Sequence, residues 1–229
     1  MADLPDLGVP YRYEPAAADG GPTAGLTLLV LHEAGGGESS LVDTARRIAP
    51  GAGILSPRGT LENEGGGYRH LPPPPVEEEG VVHDPDLPTP HEQAVHDCTP
   101  GLAAFLAAAA DGLGFDADNV CALGFSEGAT AAVALFYDHP KVLRAAIVLS
   151  ARQPFRPPRG RILDKREIFC ATGRNDETVT MDDYEELVEG LVTAGADVEL
   201  HWYDAGHELC DQEVDDARTW VGKRLADDE

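Results

Sequence analysis

Short apolar runs constrain this chain more than any other feature. They fall at 26–31, 53–56, 120–123, 145–149 and 168–172, with a more mixed run at 198–203. A strand buried on one face alternates apolar with polar residues, whereas these runs are apolar at successive positions. Strands of that kind are covered on both faces, as in the parallel sheets of α/β proteins. Between the runs, apolar residues recur at helical spacing: Leu102, Phe105, Leu106 and Ala109, then Tyr184, Leu187, Val188, Leu191 and Val192, then Val214, Ala217, Val221 and Leu225. This alternation predicts an α/β fold whose mainly parallel central sheet has helices on both faces. At 229 residues the chain has the length of one such domain.

The connections add detail. Tyr11-Arg12-Tyr13 reads as an edge strand, and Ser39 or Ser40 as the cap of a helix carrying Leu41, Val42, Ala45 and Ile48, ended by Pro50-Gly51. Residues 57–90 are rich in glycine and proline and poor in periodic apolar positions. A connection of that length reads as a lid or a pocket rim. The next helix starts at Thr89-Pro90 or at Thr99-Pro100, since each offers a capping threonine before a proline at the first helical position. Asp182-Asp183 favours the start of a helix that Gly195 stops.

Composition excludes several classes of function. The formal charge of −24 repels phosphate backbones, so no nucleic-acid partner is expected. Such self-repulsion is screened only at high ionic strength, which leads to the expectation of a salt-rich cytoplasm. The acidic, proline-bearing N-terminus lacks the pattern of a signal peptide, and no stretch has the length of a membrane helix, so a cytoplasmic protein without a membrane partner is expected. The cysteines at 98, 121, 170 and 210 are unclustered, which argues against zinc and disulfides. His91 and His96 are five apart and do not share a helix face as a metal pair needs to, so no metal is expected there. The sequence leaves the oligomeric state open.

Chemistry concentrates at Gly124-Phe125-Ser126-Glu127-Gly128, a G-x-S-x-G pattern that follows an apolar run and precedes a helix of small residues. A serine on a sharp strand-to-helix turn needs neighbours without Cβ two positions to either side. It also needs a histidine to take its proton and a carboxylate to fix that histidine. Asp176 follows the run at 168–172 and His207 the run at 198–203, so both fall at carboxyl ends of parallel strands, on the edge that carries Ser126. The order Ser126, Asp176, His207 is that of α/β-hydrolases. Glu177 and Asp204 are alternative carboxylates, and Asp176 has a second possible role as a helix cap near Thr180. Two backbone N–H groups would hold the oxyanion, that of Glu127 and one from the glycine-rich loop 32–37, where Ala34 is best placed.

With LLVLHEAGG, SPRGTLENEGGGYRH, GFSEGA, GRNDETV and AGHEL, the chain resembles the carboxylesterase/phospholipase family of α/β-hydrolases. That family includes acyl-protein thioesterases, and the likeness is greatest to its short bacterial and archaeal branch. It spans roughly residues 28–225. The resemblance implies hydrolysis of carboxylic esters or thioesters without a cofactor, with Ser126 as nucleophile, Asp176 as acid and His207 as base. Three positions depart from the family: Glu33 stands where glycine is usual, Glu127 where glutamine or asparagine is usual, and Thr180 where proline often occurs. Glu33, Tyr68 and His70 are the expected substrate contacts, and Arg58 an anchor for the 57–90 segment. Two extra carboxylates near the oxyanion site favour small to medium neutral acyl esters over anionic ones. The alternatives are a thioesterase and a hydrolase-fold sensor silenced by Glu33 and Glu127.

Overall fold

The computed structural model describes residues 4–18, 21–74, 87–157 and 159–226. Its elements run β1 (Tyr11–Glu14), β2 (Thr27–Leu31), α1 (Val42–Ile48), β3 (Gly53–Pro57), β4 (Leu61–Glu62), β5 (Tyr68–Arg69), α2 (Pro90–Leu113), β6 (Val120–Phe125), α3 (Glu127–Asp138), β7 (Ala145–Leu149), β8 (Glu167–Gly173), α4 (Met181–Thr193), β9 (Asp197–Tyr203) and α5 (Asp211–Arg224). Seven strands form one sheet in the order β1-β3-β2-β6-β7-β8-β9. Only β1 pairs antiparallel, Tyr11 opposite Pro57 at the sheet edge, while the remaining neighbours are parallel.

The apolar runs become strands because each feeds two cores at once. Along β2, Leu29 and Leu31 pack on one face with Phe105 and Leu106 of α2, Phe136 of α3 and Tyr184 and Leu187 of α4. Leu28 and Val30 pack on the other face with Val42, Ala45 and Ile48 of α1 and Val214, Ala217 and Trp220 of α5. Successive side chains of a strand point to opposite faces, so an uninterrupted apolar run supplies both layers. Fully burying one leucine-sized side chain stabilises the fold by about 1.5–3 kcal/mol.

Two connections differ from their sequence reading. Helix α1 is capped at Leu41 without a side-chain hydrogen bond, because the Ser40 hydroxyl accepts instead from Gly37 N at 2.9 Å and serves the preceding turn. Helix α2 starts at Thr89, where Thr89 and Glu92 form a reciprocal capping box. Pro100 therefore lies inside α2, on its exposed side. The Thr99 hydroxyl, 3.0 Å from His96 O, stands near the carbonyl that a proline cannot serve.

The 57–90 segment contains the two-residue strands β4 and β5, paired Leu61 to Arg69 and Glu62 to Tyr68. Arg58 grips Glu38 through two hydrogen bonds of 2.7 and 2.6 Å and lies 4.6 Å over the Tyr68 ring, which anchors this ribbon to the loop before α1. Residues 75–86, the middle of the expected lid, lie outside the described residues.

Candidate active site

Strand β6, fourth of seven in the sheet, ends at Phe125 and turns at once into α3. Ser126 occupies that turn with φ 55° and ψ −122°, a conformation that side-chain-bearing residues rarely adopt. The flanking glycines permit it. A Cβ on Gly124 would meet Ala129 N at 2.5 Å, and one on Gly128 would meet Leu31 O of the neighbouring strand at 2.1 Å. The turn is closed by Ser126 N, which donates to Leu149 O at 2.9 Å.

The loops after β8 and β9 are tied side by side, Asn175 N donating to Ala205 O at 3.0 Å and Asn175 Nδ2 to Asp204 Oδ1 at 2.8 Å. Asp204 is thereby occupied. His207 reaches across, with Nδ1 2.7 Å from Asp176 Oδ2 and Nε2 3.0 Å from Ser126 Oγ. An ionised carboxylate can only accept, so Nδ1 carries the proton and Nε2 is left to accept from the serine hydroxyl. The Phe125 ring, 5.1 Å from the imidazole centroid, supports the imidazole.

Asp176 is buried, and burial opposes its charge. Val179 N and Thr178 N each donate to its Oδ1 at 2.8 Å. With His207, these donors outweigh burial and hold the carboxyl below its ordinary pKa. Helix α4 has its own cap, a box between Thr180 and Asp183, so Asp176 is not needed there.

Ala34 and Glu127 line the same cavity as Ser126. The Glu127 N–H is the first of α3, and no carbonyl within the helix faces it. The helix dipole adds positive potential at that end. The cavity has a volume of about 380 Å³ and is bounded by Leu71, Val95, Pro154, Val179 and the arginines Arg69 and Arg152.

None of the three expected substrate contacts is among the residues that line the Ser126 cavity. The Glu33 backbone carbonyl accepts from Gly36 N at 3.0 Å with His32 Nδ1 at 2.7 Å, while its carboxyl group, whose Oε2 is buried without a hydrogen-bond partner among the described residues, acts on the neighbouring Glu127. Tyr68 is held under Arg58. The His70 ring is buried against His32, centroids 4.3 Å apart, and burial lowers its pKa to about 3. His70 borders a different cavity, on the far side of Leu71, together with Leu102 and Phe105. The reason is the pleat of β5 and its continuation. With Arg69 and Leu71 at the Ser126 cavity, the residue between them faces away. Arg152 lies outside every quoted motif, and Val179, which closes GRNDETV, has no role in the sequence reading. Arg152 belongs to the basic loop after β7, whose charge alone marked it in an acidic chain.

The carboxyl group of Glu127 does not stand free beside Ser126. Its Oε1 accepts from His70 N and Leu71 N, each at 2.9 Å, and Oε2 lies 3.5 Å from Arg69 Nε. Burial raises its pKa to about 7 against the pull of those N–H groups and Arg69, and Glu33 adds to the rise.

Sheet order, helices on both faces and a strained serine elbow after the middle strand are those of the α/β-hydrolases. A sequence model described as phospholipase/carboxylesterase matches residues 83–225, and the chain belongs to that family. The Bacillus subtilis (strain 168) protein MhqD, a hydrolase by name, is 32% identical over 208 residues, covering 89% of this chain and 96% of its own. The crystal structure of the Bacillus cereus carboxylesterase superposes with a TM-score of 0.79 at 30% identity, covering 93% of this chain and 92% of that one. A carboxylesterase from Mesorhizobium loti gives a TM-score of 0.75 at 28% identity, with 96% of both chains covered.

Proposed function

We propose that the protein is a serine hydrolase that cleaves carboxylic esters of small to medium neutral acyl groups through an acyl-enzyme. The observation that carries this reading is the imidazole of His207, poised between Asp176 Oδ2 at 2.7 Å and Ser126 Oγ at 3.0 Å. Ser126 Oγ attacks the ester carbonyl while His207 Nε2 takes the hydroxyl proton. The N–H groups of Glu127 and Ala34 receive the oxyanion. His207 then gives its proton to the departing alcohol, which leaves the acyl group on Ser126. A water, deprotonated by His207, attacks that acyl-enzyme, and His207 returns the proton to Ser126 Oγ as the acyl–oxygen bond breaks and the carboxylic acid departs. The apolar residues Leu71, Val95 and Val179 around Ser126 support a neutral acyl group, and the cavity of about 380 Å³ supports a short one.

The test compares p-nitrophenyl esters of increasing acyl length with the matching acyl thioesters, in the natural chain and in Ser126→Ala. The expected result is ester turnover that is greatest for short acyl groups and absent from Ser126→Ala. Faster turnover of thioesters than of esters would move the reading to a thioesterase. Turnover of neither, with ligand binding intact, would leave a binding protein.

A further inference from the structure

Glutamate is an unexpected residue directly after a nucleophilic serine, since its charge opposes the negative oxygen that forms there. Here the carboxyl group is engaged with one short strap. Two successive N–H groups, those of His70 and Leu71, donate to the same Oε1 at 2.9 Å each, and Arg69 Nε lies 3.5 Å from Oε2. Neither ion-pair partner is much exposed, at 15% for the Arg69 side chain and 11% for Glu127. Oε2 is buried and accepts no hydrogen bond among the described residues.

The strap is also the continuation of β5, and β5 is bonded to the other side of the oxyanion site. Gly35 N donates to Tyr68 O at 2.9 Å, and Tyr68 N donates to Gly36 O at 3.0 Å. A closed path therefore joins the two oxyanion donors. It runs from Ala34 through Gly35 to Tyr68, along the strap to His70, and across the carboxyl group to Glu127. If the carboxyl group is removed, that circuit opens and leaves two half-buried N–H groups without their acceptor.

We propose that the Glu127 side chain is a positioning residue, clasping strap residues 69–71 so that the N–H groups of Glu127 and Ala34 are held at a fixed separation. The inference rests on Ser126 being the nucleophile. It also assigns the Glu127 carboxyl group a structural purpose beside its backbone role, which a bare charge next to an oxyanion would lack.

The experiment compares Glu127→Met, which fills similar volume without an acceptor, with Glu127→Gln, which keeps the accepting oxygen. The Gln amide NH₂ takes the place of Oε2, which gives up the 3.5 Å Arg69 contact but keeps the acceptor for both strap N–H groups. Oxyanion donors act at the tetrahedral stage, so Glu127→Met is expected to lose about 10²-fold in kcat with KM changed far less. Affinity for a boronic acid, which forms a tetrahedral adduct on serine, falls in parallel, while affinity for the neutral alcohol product does not. Glu127→Gln recovers kcat to within about fivefold of the natural chain. Circular-dichroism melting of each variant confirms that folded protein is compared. A folded Glu127→Met with unchanged kcat and boronate affinity overturns the proposal, as does a loss that Glu127→Gln shares in full. Ser126→Ala separates the two layers. If it retains turnover the nucleophile reading fails, whereas if it is inactive and Glu127→Met is unimpaired, only the clasp fails.

Discussion

Close to Asp176 sits a second buried carboxyl group, Glu213 in the first turn of α5. Its residue is 3% exposed, and its Oε1 has no hydrogen-bond partner among the described residues. Burial raises its pKa from an ordinary 4.5 to about 7, with the backbone hydrogen bond at Cys210 opposing and the charge of Asp176 adding to the rise. Folding therefore favours the protonated form. Between pH 4.5 and 7 the native chain holds a proton that the unfolded chain has released, so the Glu213 contribution to stability declines as pH rises through that window. A shift of this size corresponds to about 3 kcal/mol, complete below the unfolded pKa and gone above the folded one. Glu213→Gln keeps the shape and the backbone bond and removes the titration. Urea unfolding of both proteins at pH 5 and pH 8, at one high KCl concentration, gives the comparison. The variant should gain about 2–3 kcal/mol relative to the natural chain between the two pH values, since pH 5 already lies above the unfolded pKa. A difference that stays constant across pH would refute the reasoning, because no proton would then be linked to folding at this residue.

Asp176→Asn should leave the fold and KM nearly intact and lower kcat by about 10⁴-fold, because an amide at this site favours the wrong imidazole tautomer; steady-state kinetics with melting curves checks both. The charge of −24 leads us to propose adaptation to high salt. Unfolding midpoints should rise from low to molar KCl as like charges are screened, and identical midpoints across the series would contradict that origin of the acidity.

Much of the architecture was legible because burial on both faces writes itself into a strand as continuous apolar sequence. That is why 26–31 and 145–149 mark β2 and β7 directly. The elbow was legible for a steric reason, since Gly124 and Gly128 stand where backbone approaches within bonding-like distances of any added Cβ. The start of α2 was also written in the chain, as Thr89 followed three residues later by Glu92, whereas Thr99 has Leu102 at that place. Other features left no mark. The strands β4 and β5 are two residues each, too short for a period. The destination of the Glu127 side chain depends on backbone N–H groups at His70 and Leu71, and a backbone donor looks the same whatever residue carries it. Tyr68 and His70 stood out as polar aromatics in a loop, but the pleat turns His70 into the interior beside His32 and gives the cavity wall to Arg69 and Leu71.

The central claim is that Ser126 is activated by His207. Labelling with a fluorophosphonate, followed by intact-mass measurement and peptide mapping, tests it most directly. A single adduct on Ser126 is expected, abolished in Ser126→Ala and slowed at least a hundredfold, roughly, in His207→Ala. Labelling undiminished in Ser126→Ala, or equally fast without His207, would contradict it.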